Sequence, residues 1–226
     1  GYTHYWDRIQ QATQVQEGYE RGSALRMIGE IGEPLGFSIL EQGLKDRQPS
    51  IRAAAISSLG KLGLSRAVPV LIPLLSEPVP AVRSVVAVTL GTLKDESAIP
   101  SLNRALHDEN LGVRVAAVAG LLQLNSPFRN VASTIFDLMG KQSPALRSAV
   151  AKALAHGRAC DVAGTLILFL NDPVPKPRIS AVRSLGRVGG REVIPHLKRA
   201  LKDSDESVRA TAAGAIAKIL SQPPEI

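Results

Sequence analysis

An arginine returns along this chain at an almost constant interval, and this repetition limits the possible folds more than any other feature. The recurring residues are Arg21, Arg52, Arg83, Arg114, Arg147, Arg178 and Arg209. Their numbers advance by 31 at every step except the one from Arg114 to Arg147, which is 33. A fixed period of about 20 to 50 residues is typical of solenoids, in which each unit packs on its neighbours. Seven such units cover the chain from about residue 18 onward.

Each unit is predicted to form two helices. A proline three residues before the arginine, as at Pro49 and Pro80, suits the first position of a helix, where its missing N–H is not needed. Apolar residues then recur four, seven and ten positions after the arginine, on one helical face. Glycines such as Gly60 and Gly63 are expected to close the first helix. A second helix, with Leu71 on its apolar face, is expected to begin near a Val-Pro or Ile-Pro pair.

These patterns predict an all-α fold, a right-handed α-solenoid of stacked helical hairpins. The chain is 45% apolar but only 4% aromatic, so its core must consist of Ala, Val, Leu and Ile. We expect one solenoid domain of seven repeats over residues 18–226, preceded by a capping helix within residues 1–17. Within that segment, a helix is expected from about Tyr5 to Gln16. The aromatic residues near the N-terminus are Tyr2, Tyr5, Trp6 and Tyr19, and the first three lie in the segment. Docking to a membrane surface or to a second subunit is the alternative role for it.

The repeat combines an acidic residue six positions before the arginine with an Ala-rich helix, Leu-Gly-x-x-Gly, Ile-Pro-x-Leu and Ala-Leu-x-Asp. It resembles the short HEAT-like repeat that is also found in phycobilisome lyase subunits. The resemblance covers about residues 18–220 and implies a solenoid whose second helices line the concave surface. It says less about activity, because the same repeat serves scaffolds, adaptors and a few enzymes. A role as a bilin lyase subunit follows from the resemblance alone.

The repeated arginines are interpreted as a structural ladder. A residue that every repeat contains serves the repeat, and acidic residues recur at a matching phase, so stacked ion pairs between adjacent units are expected. The fourth and fifth units depart from the pattern, with extra residues between Asn125 and Asn130 and with Lys141 in place of the acid. Two interpretations stay open for these units, namely a bend or partner site and simple drift of the repeat.

The resemblance also implies that positions 18, 20, 21 and 24 after each arginine face outward on the second helices. Residues at these positions are therefore the candidates for binding. This surface is predicted to be apolar near its middle and basic toward the C-terminal end. The candidate partner-binding residues are Ile72, Arg104, His107, Phe136, Ile167, His196, Lys198, Arg199 and Lys202. The alternative for the three apolar residues is that they point between helices and are buried. A protein-interaction scaffold or adaptor, binding a protein or peptide partner, is the predicted function.

The charge of the chain suggests a second hypothesis. The net charge of +7 is concentrated in residues 141–202, which contain 12 basic and 3 acidic side chains. Nucleic acid could bind there through Lys198, Arg199 and Lys202, helped by Arg183, Arg187 and Arg191 if these lie on the same side. However, Phe169 is the single aromatic residue of that region, so base stacking is poorly provided for. An acidic protein partner would explain the charge equally well.

No catalytic residue, metal site or cofactor is predicted. The four histidines are scattered, and the His-Glu pairs used by HEAT-like metallo-hydroxylases are missing from the sequence. A nucleophile formed by Cys160 and His156 is conceivable, but a lone cysteine in an Ala-rich helix is usually a packing residue.

The longest apolar runs are too short for a membrane span. A cytoplasmic location is expected, with removal of an N-terminal anchor or signal as the alternative, because the chain begins at Gly1 and not at Met. The sequence does not predict an oligomeric state.

Overall fold

The computed structural model describes the backbone of residues 2–15 and 17–221, and the side chains of residues 6–15 and 17–221. Over these residues it contains fourteen α-helices, four short 3₁₀ helices and no β-strand. The chain divides into two compact units, Gly1–Gly120 and Leu121–Ile226, which we call the N-unit and the C-unit. The expectation of one solenoid domain over residues 18–226 behind a cap of residues 1–17 stays a prediction.

In the N-unit, the first helices α2, α4 and α6 pack on one another in sequence, and α1 packs on α2. Each first helix is followed by a shorter second helix. The helices are α1 Tyr2–Ala12, α2 Gly18–Ile31, α3 Phe37–Gly43, α4 Pro49–Leu62, α5 Ala67–Leu71, α6 Pro80–Thr92 and α7 Ile99–Ala105, with 3₁₀ helices at Pro34–Gly36, Ile72–Ser76 and Glu96–Ala98. The next first helix, α8 Leu111–Gln123, contains the division between the units.

In the C-unit, α10 packs on α12 and α12 on α14, while the second helices lie between them in the sequence. The helices are α9 Arg129–Met139, α10 Pro144–Leu154, α11 Ala159–Phe169, α12 Pro175–Val188, α13 Ile194–Ala200 and α14 Glu206–Leu220, with a 3₁₀ helix at Arg191–Val193. The predicted all-α fold of stacked helical hairpins is therefore confirmed.

The helix starts agree with the sequence prediction. Pro49, Pro80, Pro144 and Pro175 each occupy the first position of a first helix, after a residue with extended backbone. The fixed φ of proline matches the helix, and at this position the absent N–H has no partner to lose.

The ends of four first helices share a left-handed residue eleven positions after the ladder arginine. Gly32 and Gly63 take φ values of 74° and 65° there. Lys94 and Asn125 occupy the same place with φ values of 58° and 55°. The turn thus keeps its geometry even where the sequence has lost the glycine that suits it best.

The glycines eight positions after the arginine have a different role from the one predicted. Gly60 lies inside α4 and does not close it. A Cβ on Gly91 would stand 2.5 Å from Cα of Gly120 in the next first helix, and one on Gly186 would stand 2.7 Å from Cβ of Ala215. These glycines therefore allow consecutive first helices to approach closely, and Gly63 is the residue that ends α4.

The core is built from the predicted apolar positions. Leu59, Leu90, Leu102 and Leu197 are completely buried. Burial of one such side chain contributes about 2 kcal/mol to the free energy of unfolding. Leu201, directly after α13, is 38% exposed and does not join this core, whereas Leu106 at the same place after α7 is buried.

The N-terminal helix α1 begins earlier than predicted, at Tyr2, and ends at Ala12. Gln16, the predicted end, and the side chains of Tyr2 and Tyr5 lie outside the described residues. Trp6 is partly buried, and a Cβ on Gly36 would stand 3.5 Å from its ring. Tyr19, in contrast, is 82% exposed on α2. That α1 caps the first repeat stays a prediction.

Candidate interaction surface

Five of the repeated arginines lie in ion pairs with acids at the start of the following repeat. Arg83 contacts Asp108 at 2.8 Å, and Arg178 contacts Asp203 at 2.7 Å. The other pairs are Arg21 with Asp46, Arg52 with Glu77, and Arg147 with Asp172. Both side chains of each pair are largely buried.

Each of these guanidinium groups has a second partner at the start of its own repeat. Nη1 of Arg83 donates to the carbonyl of Glu77 at 2.8 Å, and Nη1 of Arg178 donates to the carbonyl of Asp172 at 2.8 Å. Arg209 uses the same geometry toward the carbonyl of Asp203. Because their donors are directed at the fold itself, these arginines are not good candidates for holding a ligand.

The ladder acids have perturbed ionisation. Burial alone would raise the pKa of Asp108, but hydrogen bonds from Arg83 and from the N–H of Asn110, with the charges of Arg83 and Arg114, lower it. The pKa of Asp203 is lowered mainly by its hydrogen bond from Arg178. The side-chain hydrogen bond to Asp203 likewise raises the pKa of Arg178. These shifts have a structural origin and do not mark a catalytic group.

Three predicted binding residues lie on the N-unit. Ile72 begins the 3₁₀ helix that continues α5, and its side chain is half-buried. Arg104 and His107 are exposed at the end of α7, where Nη2 of Arg104 donates to Oγ of Ser101 at 3.0 Å. In the N-unit, therefore, one predicted residue is apolar and half-buried, and the other two are polar and exposed.

The C-unit has the larger exposed apolar residues on its second helices. Phe136 on α9 is 52% exposed, and Ile167 on α11 is partly exposed. Leu168, next to Ile167, is 53% exposed and was not among the candidate residues. Its place at position 21 after Arg147 is the sequence signal that identifies it. At position 18 after the arginine, Ser101 and Thr165 are buried and do not face outward as expected.

The basic candidates lie on and after α13. Lys198, Arg199 and Lys202 are exposed, and His196 is half-buried. Between α11 and α13 lies a cavity of about 250 Å³, lined by Ile167, Leu170, Asn171, His196, Arg199, Ala200 and Asp203. His196 and Arg199 thus lie beside Ile167 of α11 within the C-unit.

The other basic residues of this region lie outside helix α13. Arg183 and Arg187 are exposed on α12, and their four-residue spacing places both on one face of that helix. Arg191 is exposed in the 3₁₀ helix directly before α13. That these three arginines reinforce Lys198 and its neighbours stays a prediction.

Cys160 departs from its expected role as a packing residue. It is exposed in the first turn of α11. Nearby, Nε of Arg158 donates to Oδ2 of Asp161 at 2.9 Å. Across residues 2–15 and 17–221, no group of three or more His, Cys, Asp and Glu side chains is placed to hold a metal ion. In the same ranges, no helix combines the length and the apolar character that crossing a membrane requires.

Several solved structures, of proteins that differ from one another in their described roles, have the same fold. The complex of CpcE and CpcF of phycocyanin lyase from Nostoc sp. matches with a TM-score of 0.65, 20% identity and 93% coverage of both chains. YibA of Escherichia coli matches with a TM-score of 0.56 and 15% identity, over 96% of this chain and 92% of that one. Human deoxyhypusine hydroxylase matches with a TM-score of 0.50 and 17% identity, over 96% of each chain. At these identities the likeness shows the fold alone.

Comparison with protein families is more specific. No curated protein matches this sequence significantly. The family model for HEAT repeats matches residues 7–91 and 162–225, which is more than half of the chain. This confirms the resemblance drawn from the repeated sequence, and the chain belongs to the HEAT repeat family.

Proposed function

We propose that this chain is a protein-binding scaffold and that the second helices of the C-unit bind an amphipathic segment of a partner protein. The observation that carries the proposal is the exposure of Phe136 and Leu168, 52% and 53%, on consecutive second helices. Large apolar side chains in a row on a folded surface, with charged residues beside them, are typical of protein contact sites. Helices that are already ordered also lose little conformational entropy when a partner binds.

The charge beside this apolar surface suggests the chemistry of the partner. Lys198, Arg199 and Lys202 are exposed and have no acidic partner among the described residues. A partner segment with acidic residues next to its apolar ones would complement both features. We therefore expect an acidic amphipathic helix or strand.

Nucleic acid is a weaker candidate for the same region. Phe169, which could have stacked on bases, is only 2% exposed. Arg183 and Arg187 lie on a different helix, α12. A lyase activity stays a prediction that derives from family resemblance, and no residue set in the described chain singles it out.

The proposal can be tested with two synthetic helical peptides of about 16 residues, a length at which isolated helices become measurable. Both peptides carry Leu and Phe on one face, and the remaining positions are mainly Glu in one and mainly Lys in the other. Fluorescence anisotropy with the full chain should show binding of the acidic peptide. Phe136→Glu should weaken it at least about tenfold, as expected for an apolar residue at the centre of an interface.

Met27→Glu is the matched control, because Met27 is a similarly exposed apolar residue, 49% exposed, on the first helix α2 of the N-unit. It should leave binding unchanged. Equal losses in Phe136→Glu and Met27→Glu, with both variants folded by circular dichroism, would overturn the proposed location. Equal binding of the acidic and basic peptides would overturn the proposed charge preference.

A further inference from the structure

A second concave site lies in the C-unit, at the N-terminal ends of the second helices α9 and α11. The connection between α8 and α9 and the turn between α10 and α11 enclose a cavity of about 370 Å³. Its walls include Asn125, Phe128, Arg129, Arg158 and Asp161. None of the residues proposed to bind a partner protein lines it. A ligand of this cavity would therefore not compete with that partner for the same residues.

The cavity occurs where the repeat changes. The step from Arg114 to Arg147 is 33 instead of 31, and the added length falls in the α8–α9 connection. The turn after α10 also differs, because the position that is Gly32 or Gly63 in the N-unit is Arg158 here. Two departures from the repeat thus meet at one place, and together they form a cavity from two otherwise ordinary turns.

The Arg158 backbone explains why this side chain reaches the cavity wall. Arg158 precedes α11 with extended backbone, φ −71° and ψ 142°, and its side chain is 68% exposed. Its Nε donates to Asp161 Oδ2 at 2.9 Å, and among the described residues both terminal nitrogens have no partner. The carboxylate of Asp161 fixes one edge of the guanidinium, so the other edge is presented in a defined direction.

Arg129 provides a second cation, on the α8–α9 side of the cavity. It is the first residue of α9, it is exposed, and its guanidinium has no hydrogen bond or ion pair with the described residues. With Asp161 included, the charged side chains of the wall sum to +1. A negatively charged group in the cavity would meet unused donors on both arginines.

The rest of the wall is polar at Asn125 and Ser126 and apolar on another side. Leu122 is 2% exposed, and Pro127 and Phe128 complete this side. Small-molecule sites in proteins combine such an apolar wall with a few converging polar groups, and they have volumes of about 300 Å³ or more. An inorganic anion would use the arginines and leave the apolar side unoccupied.

We propose that this cavity binds a small organic oxyanion, a phosphomonoester or carboxylate carried on an aromatic or aliphatic body. Arg129 and Arg158 hold the oxyanion, and Leu122, Pro127 and Phe128 contact the apolar body. Since Arg129 and Arg158 are exposed and make no ladder contacts, their replacement leaves the fold intact.

The test is a titration of the full chain, followed by amide chemical shifts, with phenyl phosphate, benzoate, inorganic phosphate and benzyl alcohol. We expect one saturable site for phenyl phosphate or benzoate, with the preference between them identifying the oxyanion. Benzyl alcohol, which lacks the charge, and inorganic phosphate, which lacks the ring, should each bind at least about fivefold more weakly.

Arg129→Gln and Arg158→Gln should each weaken the preferred probe at least about fivefold. Arg187→Gln is the matched control, because Arg187 is equally a solvent-exposed arginine of the C-unit but does not line the cavity. The proposal is overturned if the Arg187→Gln loss equals theirs, which would indicate a general charge effect. It is equally overturned if no probe saturates, or if benzyl alcohol binds as well as its charged counterparts.

Discussion

The N-unit contains 12 basic and 12 acidic residues, whereas the C-unit contains 15 basic and 8 acidic ones. The second helices differ as well. In the N-unit, α3 and α7 are 7 residues long and α5 is 5, each adjoining a 3₁₀ helix. In the C-unit, α9 and α11 are 11 residues long and expose Phe136 and Leu168, whereas α13 is 7 residues long and adjoins a 3₁₀ helix as in the N-unit. The two units share one repeat but present different surfaces.

The comparison separates residues that the repeat needs from residues that it leaves free. The ladder arginines and the close glycine contacts recur at a fixed phase, and they hold neighbouring helices together. Arg158 and the longer α8–α9 connection occur once each, in the C-unit. Because the repeat does not require them, such residues are the ones available for specific binding.

The largest expected effect tests whether both units depend on the ladder. Arg83→Leu in the N-unit and Arg178→Leu in the C-unit each leave a largely buried carboxylate without its cation, which should cost about 3 kcal/mol of unfolding free energy. Urea unfolding measures this cost. Lys141→Ala, which removes an exposed pair with Asp137, should cost less than about 0.5 kcal/mol. A loss in one unit that is much smaller than in the other would contradict a shared ladder.

The next effect compares a glycine that packs closely against a neighbouring helix with a glycine that has open space around it. Gly91→Ala in the N-unit places a Cβ 2.5 Å from Gly120 and should destabilise the protein by about 2 kcal/mol. Gly164→Ala on α11 of the C-unit meets no atom within 4 Å and should stabilise it by about 0.5 to 1 kcal/mol, through helix propensity. Thermal unfolding of the two variants would contradict the assignment of close packing to Gly91 if both shifts had the same sign.

The dependence of stability on pH should be similar for the two units. Asp46 and Asp108 in one unit, and Asp172 and Asp203 in the other, have a pKa lowered in the folded state despite burial, by hydrogen bonds and charges from the ladder arginines. The folded protein therefore binds fewer protons than the unfolded chain. Its stabilisation is present above the unfolded pKa, about 3.9, and is lost as pH falls through the lower folded values.

Urea unfolding between about pH 5 and pH 2 follows this loss, since that window spans the unfolded pKa and the lowered folded values. Arg83→Leu should make the dependence shallower, because Asp108 then loses the hydrogen bond that lowers its pKa. A flat profile in the unsubstituted protein across this range would show that the ladder acids do not titrate as described.

The smallest effect compares the two non-glycine residues in left-handed turns. Lys94→Gly in the N-unit should raise the free energy of unfolding by about 1 kcal/mol, because glycine adopts φ 58° without steric cost. Asn125→Gly should raise it less, since asparagine tolerates this conformation better. Calorimetry of both variants checks the order, and destabilisation by Lys94→Gly would contradict it.

Periodic features of the fold were predictable from the sequence. Pro49 marked a helix start and Leu59 a core position, because such residues recur at one phase and a local rule explains each of them. The resemblance to HEAT-like repeats depended on the same recurrence. The helical hairpin is a local structure, so a local pattern is enough to identify it.

Features that depend on neighbouring repeats were not predictable in the same way. Gly60 resembles a helix terminator, and its role is visible only when Thr89 of the next helix lies against it. Cys160 and Thr165 lie on one short helix, yet the first is exposed and the second buried. The cavity beside Arg158 needs two turns at once, and a single sequence does not show that they meet.

Mapping of the acidic amphipathic peptide on the full chain through backbone amide shifts shows whether the C-unit presents the binding surface. We expect perturbations concentrated in α9, α11 and α13, near Phe136, Leu168 and Lys198. Perturbations centred on α5 and α7 of the N-unit, or spread evenly over both units, would contradict it.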